Sequence, residues 1–152
     1  MRNTKTKLSI LIIAFLMVPI CLLAQQTRVV NLSVNTAEIE NTSIADNSSF
    51  GQTDDTSNED YTIVVQLGDT IVWRGLSSSN PTDHIVNIKS INHVGGARLF
   101  DRNVLNGDGG TPERVIGIIT EGRSGDEKKY NIFFRLSNKP GTFIIDPKIK
   151  VE

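Results

Sequence analysis

Sulfur is nearly absent from this sequence, and what there is lies at one end. The single cysteine and the two methionines are Cys21, Met1 and Met17, so a chain that begins at Gln25 has no thiol, disulfide or thioether. Cysteine nucleophiles, thiolate metal centres and covalent staples are thereby excluded. Histidine is almost as scarce, with only His84 and His93. Aromatic residues make up 6% of the chain and include one tryptophan, Trp73, which leaves little for an exposed carbohydrate-stacking platform. Cations are not in excess either. Without Arg2, Lys5 and Lys7 the 16 basic residues fall to 13 against 17 acidic ones, a net charge of about −4. No nucleic-acid partner and no capture by an anionic membrane are expected at that charge.

What is present begins with the N-terminus. Arg2, Lys5 and Lys7 precede an apolar run from Leu8 to Leu23, and Ala24 stands before Gln25-Gln26. This is the charge, core and small-residue order of a secretory signal. The run is shorter than the roughly 20 apolar residues that span a bilayer, and Pro19 interrupts it, so no membrane span is expected after signal removal. Cleavage after Ala24 is the expectation. The alternative is lipid attachment at Cys21, which is set back because Pro19 and Ile20 stand where a small residue normally precedes such a cysteine. Residues 1–24 thus read as a signal peptide and 25–152 as one domain, able to bury roughly two thirds of its unfolded surface. An exported domain without disulfides points to a bacterial envelope or secreted protein.

Val30, Leu32 and Val34 alternate with Val29, Asn31 and Ser33, the period of a half-buried strand. Residues 35–60 follow as a long polar connection with Ile39, Ile44 and Phe50 as its large apolar anchors, too few for a core of their own. Its end packs Asp54, Asp55, Glu59 and Asp60 into seven positions, a solvated or cation-binding run. Residues 61–152 form the main body, with short β-branched and aromatic runs separated by Gly, Pro, Asn and Asp. The expected strands there are 61–66, 70–74, 84–91, 97–100, 114–120, 130–136 and 142–151. Tyr130, Ile132, Phe134 and Leu136 share one inward face, as do Phe143, Ile145, Pro147, Ile149 and Val151. Phe133 and Ile144 are the exceptions on the outward faces. Pro147 lacks a ladder donor and so marks an edge or a bulge. Residues 122–126 read as a hairpin, and no segment of 25–152 has helical periodicity over three turns.

At Gly68-Asp69-Thr70-Ile71-Val72-Trp73 the chain resembles cupredoxins, in which a Gly-Asp turn precedes an alternating strand carrying a Trp. Asp83-His84-Ile85-Val86 and Pro140-Gly141-Thr142-Phe143 are similar to two further family elements. The resemblance implies a sandwich fold and one ligand position, His84. It implies no blue-copper function, because Ile144-Ile145-Asp146-Pro147 stands where the family's Cys-x-x-His would follow, and thiolate covalency gives such sites their behaviour. The stretch from Gly141 to Ile149 also resembles the C-terminal pattern of small secreted Bacteroidetes proteins, which implies no activity.

The expected fold is an all-β, antiparallel Greek-key sandwich of about seven or eight strands, cupredoxin-like or immunoglobulin-like. His84 and His93, with Asp83, form the one candidate metal pair, and by strand parity they fall on opposite faces if the strand runs straight. Residues 101–108 have some likeness to a calcium loop, but Leu105 occupies a ligand step and Pro112 the place of the late Glu, so the acidic run is the better calcium candidate. Ser77-Ser78-Ser79 and His84 come without a Gly-x-Ser-x-Gly elbow, and no catalytic motif is assembled. No cofactor is expected. The function expected is that of an exported, non-enzymatic binding or structural module, whose protein or glycan partner would meet loops 35–60, 75–82 and 103–112. The alternative is a divergent cupredoxin-like protein that binds Cu or Zn through His84 and His93.

Overall fold

The computed structural model describes residues 24–53, 55–95 and 98–152. All but the last residue of the expected signal peptide lies outside the described residues, as do Asp54 and Ala97. Ten strands follow in order: β1 (Thr27–Val34), β2 (Ser48–Ser49), β3 (Thr62–Val65), β4 (Thr70–Ser77), β5 (Val86–His93), β6 (Val104–Asn106), β7 (Val115–Ile118), β8 (Glu127–Leu136), β9 (Phe143–Ile145) and β10 (Lys148–Val151). They build two sheets, β2-β1-β4-β7 and β3-β10-β8-β5-β6, with β9 beside β8. The chain is an all-β sandwich, and among the described residues there is no helix.

Alternation identified the core faces. Val30, Leu32 and Val34 are buried, as are Tyr130, Ile132, Phe134 and Leu136. Pro147 divides the last strand into β9 and β10 without changing its parity, so Phe143, Ile145, Pro147, Ile149 and Val151 are all buried. The proline gives up its donor but not its acceptor, since its carbonyl takes the Tyr130 N–H at 3.1 Å. The two outward exceptions, Phe133 and Ile144, lie directly opposite each other across β8 and β9 as a cross-strand apolar pair, Phe133 half-buried and Ile144 exposed. Across the core, Trp73 of β4 meets Tyr130 of β8 edge-on, with ring centroids 5.7 Å apart. The indole N–H donates to the Tyr130 hydroxyl at 3.1 Å, and burial pushes the Tyr130 phenol above its ordinary range.

Four features depart from the expected topology. First, two strand pairs are parallel: β1 with β4 and β3 with β10. Parallel neighbours need a long crossover, and residues 35–69 supply it for β1 and β4 by crossing to the other sheet as β3 and returning. Second, that connection packs onto the sandwich. Ile39 is fully buried and Phe50 stacks on Tyr61 at 4.6 Å. The buried Asn58 amide donates to the Ser48 carbonyl at 2.9 Å and accepts from Gln52 at 2.7 Å. Third, Leu99 and Phe100 are core plugs outside any strand. Fourth, residues 122–126 carry the chain from β7 in one sheet to β8 in the other, so they form a crossover and not a hairpin. Turn chemistry dictates where a chain bends, not which sheet receives it.

The register of the parallel pair is anchored at one pole by Asp69, which is 1% exposed. One carboxylate oxygen accepts the Gln26 N–H at 2.8 Å, and the other accepts the Gln66 N–H at 3.0 Å with the Arg28 guanidinium 3.5 Å away. Burial alone would raise its pKa; the two backbone donors and Arg28 outweigh burial and hold it below the ordinary carboxylate value. Its backbone carbonyl takes the Ile119 N–H at 2.9 Å, so one residue ties together β1, the β3–β4 turn and the end of β7. Asp69→Asn places an amide N–H₂ against a backbone donor and should cost about 1.5–3 kcal/mol at neutral pH, the range for a hydrogen bond to a charged group. Because the folded carboxyl has the lower pKa, its contribution is complete above the ordinary value of 3.8 and lost as pH falls through the folded value. Urea unfolding from pH 7 down to pH 2 should therefore show a steeper acid loss in the native protein than in Asp69→Asn.

Candidate functional site

The two histidines stand at opposite ends of β5. His84 lies just before the strand and His93 ends it, so nine residues of extended chain, roughly 30 Å, separate them. The strand also does not run straight. Ile88 pairs with Phe134 and Ser90 with Phe133, which leaves Lys89 as the extra residue of a bulge and restores Ile91 and His93 to the inward parity of Val86 and Ile88. The structure does not bring His84 and His93 together. Among the described residues no group of three or more His, Cys, Asp or Glu is placed to hold a metal ion. In the acidic run Asp55 accepts from Thr53, Glu59 faces Lys129, and Asp60 accepts from Ser57 and Lys148. The Ser57 hydroxyl first, and then Lys148, lower the Asp60 pKa. In the 101–108 loop Asp101 pairs with Arg102 and Asp108 with Arg114.

What the fold does gather is a cluster of hydroxyls around His84. The fully buried Thr36, just past β1, places its hydroxyl 2.8 Å from His84 Nδ1, 2.7 Å from Ser77 Oγ and 3.0 Å from Ser79 Oγ. The Asn80 N–H donates to Ser77 Oγ and the Ala37 N–H to Ser79 Oγ. A hydroxyl has one hydrogen to give and two lone pairs. The count closes with either ring tautomer: Ser77 and Ser79 donate to Thr36 and Thr36 to His84 Nδ1, with the ring proton on Nε2, or Ser79 and His84 Nδ1–H donate to Thr36 and Thr36 to Ser77. Among the described residues no carboxylate joins this cluster, so it orients the ring without the third member of a nucleophile–base–acid relay. Ser77 and His84 were visible in the sequence as candidates. Thr36 was not, because its hub position depends on β1 and β4 lying in register.

His84 borders a groove made by an interrupted strand pairing. β7 accompanies β4 only from Thr70 to Trp73, while β4 continues to Ser77. Upstream of β7 the chain turns away to the other sheet, where the Glu113 carbonyl accepts the Ile88 N–H at 2.9 Å, Asn87 Oδ1 accepts the Glu113 N–H at 2.8 Å, and Lys89 on the bulge forms an ion pair with Glu113. The vacated space forms two hollows of about 340 and 270 Å³ that meet over Gly75, Leu76 and Pro112. Arg74 and Arg114 stand at one end, His84 and Ser77 at the other, with Pro81, Ile85 and Val86 along the wall. Gly75 closes the floor, since a Cβ there would lie 2.5 Å from the Val86 carbonyl oxygen. Arg74 donates to Asn31 Oδ1 at 3.0 and 3.2 Å and, among the described residues, has no carboxylate partner.

No family model matches the chain, and no curated protein matches it. Among solved structures it is similar to an inclusion body protein, PixA, from Burkholderia cenocepacia, at 11% identity and a TM-score of 0.57, covering 85% of this chain and 97% of that one. A second likeness, to the reduced Cu(I) form of a mutant amicyanin, has 15% identity and a TM-score of 0.36 over 83% of this chain and 82% of that one. The first supports the sandwich fold alone, and the second carries no further argument.

Thr36→Val keeps the shape of the hub and removes its hydroxyl, leaving Ser77 and Ser79 without their shared hydrogen-bond partner. It should cost about 1–3 kcal/mol in urea unfolding. Long-range ¹H–¹⁵N spectra of the His84 ring should show one dominant tautomer in the native protein, held by Thr36, and a shifted tautomer balance in the variant.

Proposed function

We propose that this chain is an exported, non-enzymatic binding module and that the groove over Leu76 and Pro112 is its recognition site. The observation that carries the reading is the conjunction in one groove, among the described residues, of a strand edge without a paired neighbour, an apolar middle, a positioned imidazole and an arginine without a carboxylate. Binding sites are typically concave and apolar, with a few fixed polar groups. Two of the loops expected to carry recognition, 75–82 and 103–112, form the rims. The third, 35–60, contributes through Thr36 behind His84. The cluster at His84 favours binding over catalysis, because the hydroxyl hub fixes the ring but, among the described residues, brings no carboxylate to complete a relay. The N-terminal signal pattern supports export to the bacterial envelope or beyond.

Leu76 is 48% exposed, so Leu76→Arg should leave the unfolding midpoint within about 0.5 kcal/mol of native, as surface substitutions do. Binding to glycan and random-peptide arrays should be lost in that variant. Array binding that survives Leu76→Arg would move recognition elsewhere. A stoichiometric Cu or Zn in protein purified without an affinity tag, lost on His84→Ala, would replace the reading with a metal-binding one.

A further inference from the structure

Resting on that reading of the groove, we infer that its ligand is an extended peptide carrying an acidic side chain, which adds as a strand to the free edge of β4. The backbone parity of β4 selects the residues involved. The Thr70 N–H donates to the Gln26 carbonyl and the Ser78 N–H to the Val34 carbonyl, both toward β1, whereas the Asp69 carbonyl accepts from Ile119 on the β7 side. Even-numbered residues of β4 therefore turn their backbone toward β1 and odd-numbered ones toward β7. Beyond Trp73, among the described residues, no strand pairs on the β7 side, so the N–H and C=O groups of Gly75 and Ser77 point toward the groove. They offer two donors and two acceptors about 7 Å apart, the repeat of every second residue in a β-ladder.

The rest of the groove fits the same ligand. From Arg74 to Ser77 the floor is roughly 10 Å long, which suits three to four residues of extended chain. Leu76, Pro112, Pro81 and Ile85 would meet apolar side chains of the added strand. At the Arg74 end the other charges are neutralised within the protein, Asp108 by Arg114 at 2.8 Å and Glu113 by Lys89. The Arg74 guanidinium, held by an amide oxygen, is therefore complementary to a carboxylate. At the other end His84 lines the groove, and its Nε2 pairs with a peptide group, as donor or acceptor according to which nitrogen carries the ring proton. An alkyl carboxylate could satisfy Arg74 and the apolar wall, but it would cover the backbone groups of Gly75 and Ser77 without replacing the water they lose. An extended peptide satisfies all three, which is the logic of recognition by β-strand addition.

The test is titration of the ¹⁵N-labelled protein, residues 25–152, with the capped hexapeptides Glu-Val-Thr-Val-Thr-Val and Val-Thr-Val-Thr-Val-Glu, with their Lys-for-Glu versions, and with octanoate. At least one Glu peptide should shift the Gly75 and Ser77 amide signals and slow their hydrogen exchange. N-methylation at one set of alternate peptide positions should abolish binding while the other set is tolerated. Lys for Glu in the peptide, or Arg74→Gln in the protein, should each weaken binding about tenfold, the loss of one charge-assisted hydrogen bond. Octanoate perturbing the groove while neither Glu peptide does would overturn strand addition and leave the groove as a binding site for small amphipathic acids. Equal tolerance of both N-methylation sets would overturn it too, and so would a groove that responds to none of these probes.

Discussion

A parallel pair of strands has no hairpin to set its register, so something must hold the two chains level at one end. Here the Asp69 carboxylate does so: it receives the backbone of Gln26 just before β1 while sitting just before β4, and from there Thr27 faces Thr70 and the pairing runs level to Val34 and Ser77. A one-residue slip would turn Val30, Leu32 and Val34 outward. It would also separate the far ends, where Thr36 reaches Ser77 and His84. A buried charge at one pole thus determines whether the hydroxyl cluster at the other pole exists. Such a carboxylate is tolerable in the interior only because its oxygens are taken up by the Gln26 and Gln66 N–H groups and by Arg28.

The groove depends on a second irregularity, the bulge at Lys89. The extra residue directs Lys89 toward Glu113, and the resulting ion pair, with the bonds from Ile88 and to Asn87, draws the chain before β7 onto the second sheet. Had that segment continued along β4, Gly75 and Ser77 would have been paired and no groove would remain. Gly75 then lets Val86 close the floor from below. Bulge, ion pair and glycine act together to leave residues 74–77 of β4, among the described residues, without a paired strand on one side.

Local periodicity made the core faces readable. Alternation is a property of one strand, and it survived even the proline break before β10. It said nothing about partners, so the parallel pairings, the crossover at 122–126 and the core role of Leu99 were not visible. β2 consists of two serines and gives no apolar signal at all. The bulge that changes the parity of His93 shows only in the pairing of β5 with β8, which no spacing rule encodes. For the site, Ser77 and His84 drew attention by their chemistry, whereas Thr36, Arg74 and Pro112 look like ordinary polar, strand and loop residues until the fold assembles them.

The contact between Trp73 and Tyr130 joins the two sheets through the only tryptophan in the chain. It makes alkalinity, as well as acid, a limit on the fold. A phenol whose folded pKa lies above its unfolded value favours the native state fully below about pH 10, and that contribution drains away as the unfolded chain ionises and the folded one cannot. The sandwich is therefore bounded from both sides by buried oxygens, a carboxylate at its pole that must remain ionised and a phenol at its centre that must not.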